Sequence, residues 1–564
     1  MLIAAQDLEP VSSEASFAES ATPPPSHRSV FANRAFTVML IASSLSSVGI
    51  AMFDTATAWL MTSINPSPLT VSAVQVATMA PLFLLTIPAG ALADVVDPRR
   101  LLIVAQAAVV VIGAVFAAVV TLHWEGPAAL LVATFLLGAT GALAAPAWQI
   151  VTPMLAAKDQ IDSAIALNNA AYNVSRAVGP ALGGFVISAV SILLPFWVYC
   201  VTNFAVLAAL IWWRAPRKAP ESLPTERFLA AMGVGVRYAR NNRDLDATLI
   251  RAVAFFPFAS AYWALMPLIA RERLGDNPEY YGSLMGVLGV GSIVGTFALE
   301  PLKARLGPDW SAALGSLGTA VALALFAVAP NSALLFLASF VAGASWIIVM
   351  TTMFVSAQVA LPDWVRGRGL AIFLTAYFGA MTIGSAVWGG VADARGLAFA
   401  LSAAAAGAAA NLILARGFRL ETGAALDLSP SMHWRAPAFV EGLQDDEGPL
   451  LMTIEYRVNP KDRAEFLRLL REVGRERMRD GAYAWNVFED PNEPRRIVEN
   501  CLVRSLLEFK YRGERQTKAD VLVEERASSF LQSPATVRYL LAPKRRHHRW
   551  RGEEDALGGA RGHE

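Results

Sequence analysis

Few ionisable side chains interrupt the long apolar stretches of this chain, and those few bound the chemistry it can do. Asp54 lies well inside one apolar run and Arg176 inside another. Arg251 sits near the start of a third, and Asp94 and Glu300 at the ends of two more. An ionisable group at the centre of a membrane-spanning helix costs roughly 2.5–3.5 kcal/mol and faces a cavity or a partner. Asp54 is the candidate proton-coupling residue, because a carboxylate in a partly dry cavity can take up a proton on one side and release it on the other. A carboxylate beside an aqueous vestibule, with no coupling role, is the simpler alternative. Arg176 is suited to holding an anionic substrate or to pairing with Asp54; a structural partner of backbone carbonyls or of an acid is the plainer reading. Gln75, Gln149, Asn168, Asn169 and Asn173 are polar enough to line a cavity, or to hydrogen-bond helix to helix. The two cysteines, Cys200 and Cys501, are far apart and give neither metal-ligand spacing nor a disulfide framework. No phosphate-binding loop or nucleotide motif is present, which disfavours an ATP-driven pump.

These residues need elements to hold them, and the composition says which. Of 564 residues, 55% are hydrophobic and only 16% charged, against about a quarter charged in soluble domains. The net charge of +1 gives no basic balance for nucleic acid. Residues 1–32 read as a disordered cytoplasmic tail without the apolar core of a secretory signal. Apolar segments of about 20 residues, the length that crosses a bilayer, fall at roughly 34–60, 69–93, 100–122, 128–155, 163–190 and 192–213. Six more follow at roughly 246–270, 280–301, 309–329, 331–361, 369–392 and 395–415. The expected organisation is a six-helix bundle over 33–213, a cytoplasmic loop with an amphipathic helix over 214–245, and a second six-helix bundle over 246–417. Basic residues fall in alternate loops: Arg34 before the first span, Arg99 and Arg100 after the second, and Arg214 to Arg243 after the sixth. Lys303, Arg305, Arg366, Arg368, Arg416 and Arg419 continue the pattern, with Arg271, Arg273 and Arg395 as exceptions. Both termini are therefore expected in the cytoplasm, with the chain a multi-pass protein of the cell membrane.

The two halves echo each other. WQIVTPMLAAKDQ (148–160) and AQVALPDWVRGRG (357–369) both carry Q-x-x-x-P, as Gln149 with Pro153 and Gln358 with Pro362. GPALGG (179–184) is answered by GSAVWGG (384–390). Repeat-built transporters hold substrate near the midplane and rock around it. In GPALGG, Gly179, Gly183 and Gly184 permit close helix approach and Pro180 removes a backbone donor, a conformational rather than substrate-binding contribution.

GALADVVDPRR (90–100) resembles the loop 2–3 signature of the major facilitator superfamily, with Gly90, Leu92, Ala93, Asp94, Arg99 and Arg100 in place. Val95, Asp97 and Pro98 depart from its usual basic and glycine positions, and the second-half copy, GTFALEPLKARLG, is degenerate. GPALGG resembles the helix 5 signature of exporters in that superfamily. PAWQIVTPML with ALNNAAYNVSRAVGPALGG resembles the branch that includes the enterobactin exporter, over roughly 30–415. The resemblance implies an all-α major facilitator fold of twelve membrane helices. It also implies that Asp94 latches onto the start of the eleventh helix, near Gly367–Gly369 and Arg368, when the cytoplasmic mouth closes.

After a linker over 418–448 the pattern turns soluble. Alternating and helical stretches over 449–543 follow the order β-α-β-β-α-α-β, an α+β ferredoxin-like module. The segment resembles the dimeric antibiotic-biosynthesis monooxygenase fold, which implies homodimer formation. Trp485 and Asn486 are adjacent and point to opposite faces of a strand, and no histidine lies in 450–542, so catalysis is not expected. Residues 544–564 read as a basic disordered tail. The expected function is secondary active, proton-coupled export of a small organic molecule (drug, siderophore or metabolite) by alternating access. No cofactor and no metal are expected, and the partners are substrate, protons and the bilayer. The alternatives are a membrane-anchored monooxygenase-like enzyme and a non-transporting receptor or scaffold.

Overall fold

The computed structural model describes residues 31, 33–156, 160–214, 228–362, 364–414, 417–420, 427–429, 431 and 447–542; at 91, 94, 95, 162, 228–234, 414, 513 and 514 it describes the backbone alone. The expected tails at 1–32 and 544–564, and most of the linker at 418–448, lie outside these residues.

The first half is α1 (Arg34–Ile64), α2 (Pro68–Val95), α3 (Pro98–Thr121), α4 (Pro127–Met154), α5 (Ile161–Ala189) and α6 (Leu193–Trp212). Their starts follow local chemistry. The Asn33 side chain accepts from the first amides of α1 and Asp97 from that of Arg100, while proline opens α2, α3 and α4. The bare break between the fifth and sixth spans is a short turn in which Ser191 Oγ accepts from the Leu193 amide at 3.1 Å. The amphipathic loop helix is α7 (Phe228–Asn241).

The second half is α8 (Arg243–Leu274), α9 (Pro278–Val328), α10 (Ser332–Val359), α11 (Arg366–Arg395) and α12 (Leu397–Leu414). The break expected between the eighth and ninth spans falls inside α9, where Gly307, with φ 76°, leaves the helical conformation and separates two helices. That conformation is open to glycine and costly for other residues, and Pro308 follows it. Nine helices among the described residues are long and apolar enough to cross a membrane. The polar run Asn168, Asn169, Asn173 and Arg176 lowers the hydropathy of α5, and α12 is apolar but shorter.

Two apolar cores hold the helices. The larger joins both halves, from Phe53, Trp59 and Phe196 to Tyr281, Leu284, Trp346 and Tyr377. The smaller lies in the first half alone, around Phe36, Met39, Leu102, Val151, Leu155 and Trp213, at the end where α1 begins. This end, which also carries α7, is called the near side below, and the opposite end the far side.

The C-terminal domain is β1 (Leu450–Arg457), α13 (Arg463–Asp480), β2 (Ala482–Glu489), β3 (Arg496–Val503), α14 (Leu506–Arg515), α15 (Lys518–Ser528) and β4 (Thr536–Leu541). The sheet is antiparallel with the order β2-β3-β1-β4. Alternate residues of β1 and β3 are buried. They form a core with Phe466, Leu470 and Phe509 from the helices.

Candidate functional site

A cavity of about 530 Å³ opens inside the first half, and all of its lining comes from α1 to α6. It runs from Phe36 and Leu155 at the near side to Phe53, Asp54 and Tyr199 at depth. Its walls are amphipathic. Ser43, Ser44, Ser47 and Thr140 supply hydroxyls, Asn168 and Asn169 amides, and Trp148, Tyr172 and Phe53 rings. Among the described residues, Asp54 is the sole carboxylate in the lining, and no lysine, arginine or histidine lines it. Its side chain is open to the cavity.

A buried polar cluster sits beside this wall. Asn203 Oδ1 accepts from Ser46 Oγ at 3.0 Å and from Gln106 Nε2 at 2.7 Å. Asn203 Nδ2 donates to the Tyr199 carbonyl at 2.8 Å. The amide of Asn203 is thus fixed from three helices, α1, α3 and α6, and holds Tyr199, whose ring centroid is 4.6 Å from that of Phe53. Gln106 and Asn203 did not stand out among the candidates read from sequence. The signal was there: each is a lone amide in an otherwise apolar run, IVAQAAVV and CVTNFAVL, and such residues bond across helices.

The other candidates are dispersed. Asn169 joins Asp54 at the cavity, whereas Asn173 is exposed and donates back to the Asn169 carbonyl at 3.0 Å. Gln75 and Gln149 are outside the lining, Gln149 on an exposed face. Arg176 is also outside it. Among the described residues no ion pair joins Asp54 to Arg176. Arg251 is held by Asp309 beside the α9 kink, with a further bond to the Phe418 carbonyl at 3.4 Å. It therefore ties the chain leaving α12 to α8 and α9.

The glycines of the fifth span make close approaches. A Cβ on Gly184 would fall 2.7 Å from Gly282 Cα in α9, and one on Gly183 3.1 Å from Met52 Cα in α1. Gly179 lies against Val48 and Ala51 of α1, and the Pro180 carbonyl against Gly282. Gly184 thus touches the opposite half on the far side. Trp59 stacks on Tyr281 with centroids 6.3 Å apart, the Thr62 carbonyl accepts from Arg271, and Ser67 Oγ donates to Asp393 Oδ1 at 2.7 Å. These contacts seal the far side, and the cavity is open toward the near side.

At the near side, Arg99 donates to the Leu210 and Ile211 carbonyls at 3.2 and 2.9 Å, capping the C-terminus of α6. Arg100 is exposed. Nothing lies within 4 Å of a Cβ built on Gly90, so packing gives no reason for that glycine. Asp94 belongs to the last turn of α2, but its side chain is outside the described residues. Arg368 lies in the first turn of α11, its Cβ 3.1 Å from where a Cβ on Gly235 of α7 would sit.

The C-terminal domain holds its own polar centre. Glu499 is fully buried and accepts from Tyr456 Oη at 2.5 Å, Arg477 Nε at 2.9 Å and Trp485 Nε1 at 2.9 Å. Trp485 therefore points into the core and Asn486 to the other face of the sheet, as strand alternation requires. Glu499 has all its partners within the domain core.

A family profile described as "Transmembrane secretion effector" matches residues 26–547. The staphyloferrin A transporter of Staphylococcus aureus is 24% identical over 323 residues, which cover 57% of this chain and 80% of that protein. The multidrug efflux pump Tap of Mycolicibacterium fortuitum is 24% identical over 383 residues, covering 64% and 90%. Among solved structures, the nucleoside transporter NupG superposes with a TM-score of 0.55 at 13% identity, over 68% of this chain and 98% of that one.

Proposed function

The chain belongs to the transmembrane secretion effector family of the major facilitator superfamily, and on that premise we propose that it exports an amphipathic, cationic or uncharged organic molecule in exchange for protons. It is a multi-pass membrane transporter of small molecules. The observation that carries the cargo class is the charge inventory of the cavity, with one carboxylate and no cationic side chain in the lining among the described residues. A polycarboxylate cargo would bring its charges to a wall without a counter-charge, and a dehydrated like-charge contact is costly. A cationic amphiphile would find Asp54, hydroxyls and aromatic faces. The relatives include a siderophore carrier and a multidrug pump, and the lining favours the second kind of cargo.

Asp54 serves as the proton site and competes with cationic cargo. Twelve spans account for the topology when α9 is counted as two segments at Gly307, and α5 and α12 as spanning. The near side faces the cytoplasm, because Arg99, Arg100, Arg237, Arg240 and Arg243 lie there. The open cavity is then the cytoplasm-facing state of an alternating-access cycle. The strand order of the C-terminal domain supports a ferredoxin-like module that pairs with a second copy.

Inside-out membrane vesicles carrying the protein should accumulate ethidium when a pH gradient is imposed, and a trianionic dye of similar size should stay outside. Asp54→Asn should abolish uphill accumulation while leaving ethidium counterflow measurable. Accumulation of the anion with exclusion of ethidium would overturn the cargo class, and undiminished uphill transport by Asp54→Asn the proton role.

A further inference from the structure

The C-terminal domain is docked, and its docking residues converge on one tryptophan. Trp364 occupies the turn between α10 and α11, two residues before α11 begins. Its ring meets the Tyr238 ring of α7 edge-on at 5.6 Å and the Arg515 guanidinium of α14 at 4.8 Å. Arg515 is itself fixed, donating to the Asp480 carbonyl at 2.9 Å and to Glu508 Oε1 at 3.0 Å. The same Glu508 oxygen accepts from Arg237 of α7 at 2.7 Å. Arg479 closes the circuit, its guanidinium 5.4 Å from the Tyr238 ring. Three separate parts of the chain, α7, the domain and the α10–α11 turn, are thus locked by ion pairs, hydrogen bonds and cation–ring contacts.

The turn is held from a second direction. Asn242, which caps α8, donates to the Ala360 carbonyl at 2.7 Å, and α7 packs on the first turn of α11 through Gly235 and Arg368. The element so fixed is the start of α11. In any cycle that closes the near side, that end must meet the first half, since α11 packs along α2 farther down, where Gly379 abuts Phe83 and Gly389 abuts Ser72. A helix end splinted in advance loses less freedom when it makes such a contact, which lowers the cost of closing.

We infer that Trp364 and Arg515 are positioning residues for the cytoplasmic gate, through which the C-terminal domain splints the first turn of α11 and favours closure of the near side. The inference rests on the alternating-access reading, and it assigns the domain a function in the transport cycle itself. It also gives a reason for a soluble domain to be docked on the helices through α7 and this turn rather than only tethered by the linker. A splint acts on the closing step alone, so it alters the rate of the cycle and not the affinity of the open cavity.

The test uses the full-length protein in inside-out vesicles with a reporter thiol at Ser43→Cys, in the cavity wall, and ethidium as cargo. Cys200 and Cys501 are buried and are replaced by serine in the reference protein. Trp364→Ala and Arg515→Ala should each lower the maximal rate by about fivefold or more, the low end of ordinary coupling between sites. KM for ethidium should stay unchanged, and Ser43→Cys should be labelled faster from the cytoplasmic side. Trp364→Phe, which keeps an aromatic face for Arg515, should restore most of the rate. Unchanged rate and labelling in both alanine variants would overturn the inference, as would a matching rise in KM, which would place these residues with the cargo. If ethidium is not a cargo at all, the labelling rates still decide the point, so the two readings fail separately. Should Arg515→Ala fail to accumulate in the membrane, Glu508→Gln loosens the same circuit and is read in the same way.

Discussion

At the scale of the residue, what matters is where each rare charge finds its counterpart. Asp54 has a cavity before it, whereas Arg251 has Asp309 and Glu499 has three donors. The first arrangement leaves a group free to exchange a proton or meet a cargo, and the other two commit their charges to structure. Asp480 belongs with the committed groups but titrates within reach. It is buried beside Arg479 and Asp520, and burial is the largest of the causes that push its pKa up to about 6. The sign follows from linkage. A carboxyl that holds its proton more tightly folded than unfolded contributes stability below its unfolded value near 4, and that contribution is lost as pH rises through about 6. Amide hydrogen exchange of β1 and β3 in the full-length protein, corrected for intrinsic rate, should therefore show more protection at pH 5 than at pH 7.5. Asp480→Asn should shrink that difference to the part owed to Glu476, whose pKa burial pushes up to about 9, and an equal difference in both proteins would assign it elsewhere. A lone aspartate such as Asp54 was legible in the sequence because it breaks an apolar run. The partners of Arg251 and Glu499 were not, because pairing across 58 and 22 residues is set by packing.

At the scale of the element, the internal repeat carries the argument. Gly184 of α5 presses on α9 across the interface, while Gly179 and Gly183 of the same motif press on α1. The echo in α11 does the same in mirror roles: Gly384 lies against Pro257 and Ser260 of α8, and Gly389 against Ser72 of α2. Each motif therefore uses glycine both within its half (Gly179 and Gly183 in one, Gly384 in the other) and between the halves (Gly184 and Gly389), on helices that correspond in the repeat. The motifs were visible as strings of small residues. Which face met which helix was not, since a glycine shows that something comes close without showing what. The kink in α9 was legible: LKARLGPDW reads as a break by composition, and the helix is interrupted there at Gly307. The crossing at Gly184 makes a direct prediction. A methyl there meets backbone on both Gly282 and Pro278, at 2.7 and 2.8 Å, and neither can swing aside as a flexible side chain would. Gly184→Ala should pry the far side apart and depopulate the cytoplasm-open state. Labelling of Ser43→Cys from the cytoplasm should slow and labelling from the far side should rise. Unchanged labelling on both sides would mean that the crossing plays no part in sealing.

At the scale of the whole molecule, the two helical halves meet on the far side, and the second carries α7 and the docked domain. One face of the domain's sheet is covered by its helices, and the other presents Phe488 and Leu540, 53% and 56% exposed, beside Val498, Leu451 and Leu502. An apolar strip of this kind on a sheet commonly marks a protein contact. Two such sheets packed about 10 Å apart would bury it, as the monomer by itself does not. The order of strands was legible from turn residues and alternation. The open face was not, because burial of one sheet face looks the same in sequence whether its cover is a helix or a second copy. If the face pairs with itself, the full-length protein in detergent should sediment as a dimer at micromolar concentration, and the double variant Phe488→Lys with Leu540→Lys as a monomer. Like charges placed on both copies would oppose one another across the interface, so the separation should be strongest at low salt. Transport by the double variant is expected to persist, since each chain holds its own cavity and its own Trp364 contact. Loss of transport together with the dimer would show instead that the gate is splinted between two chains, and a monomeric unaltered protein would remove the pairing altogether.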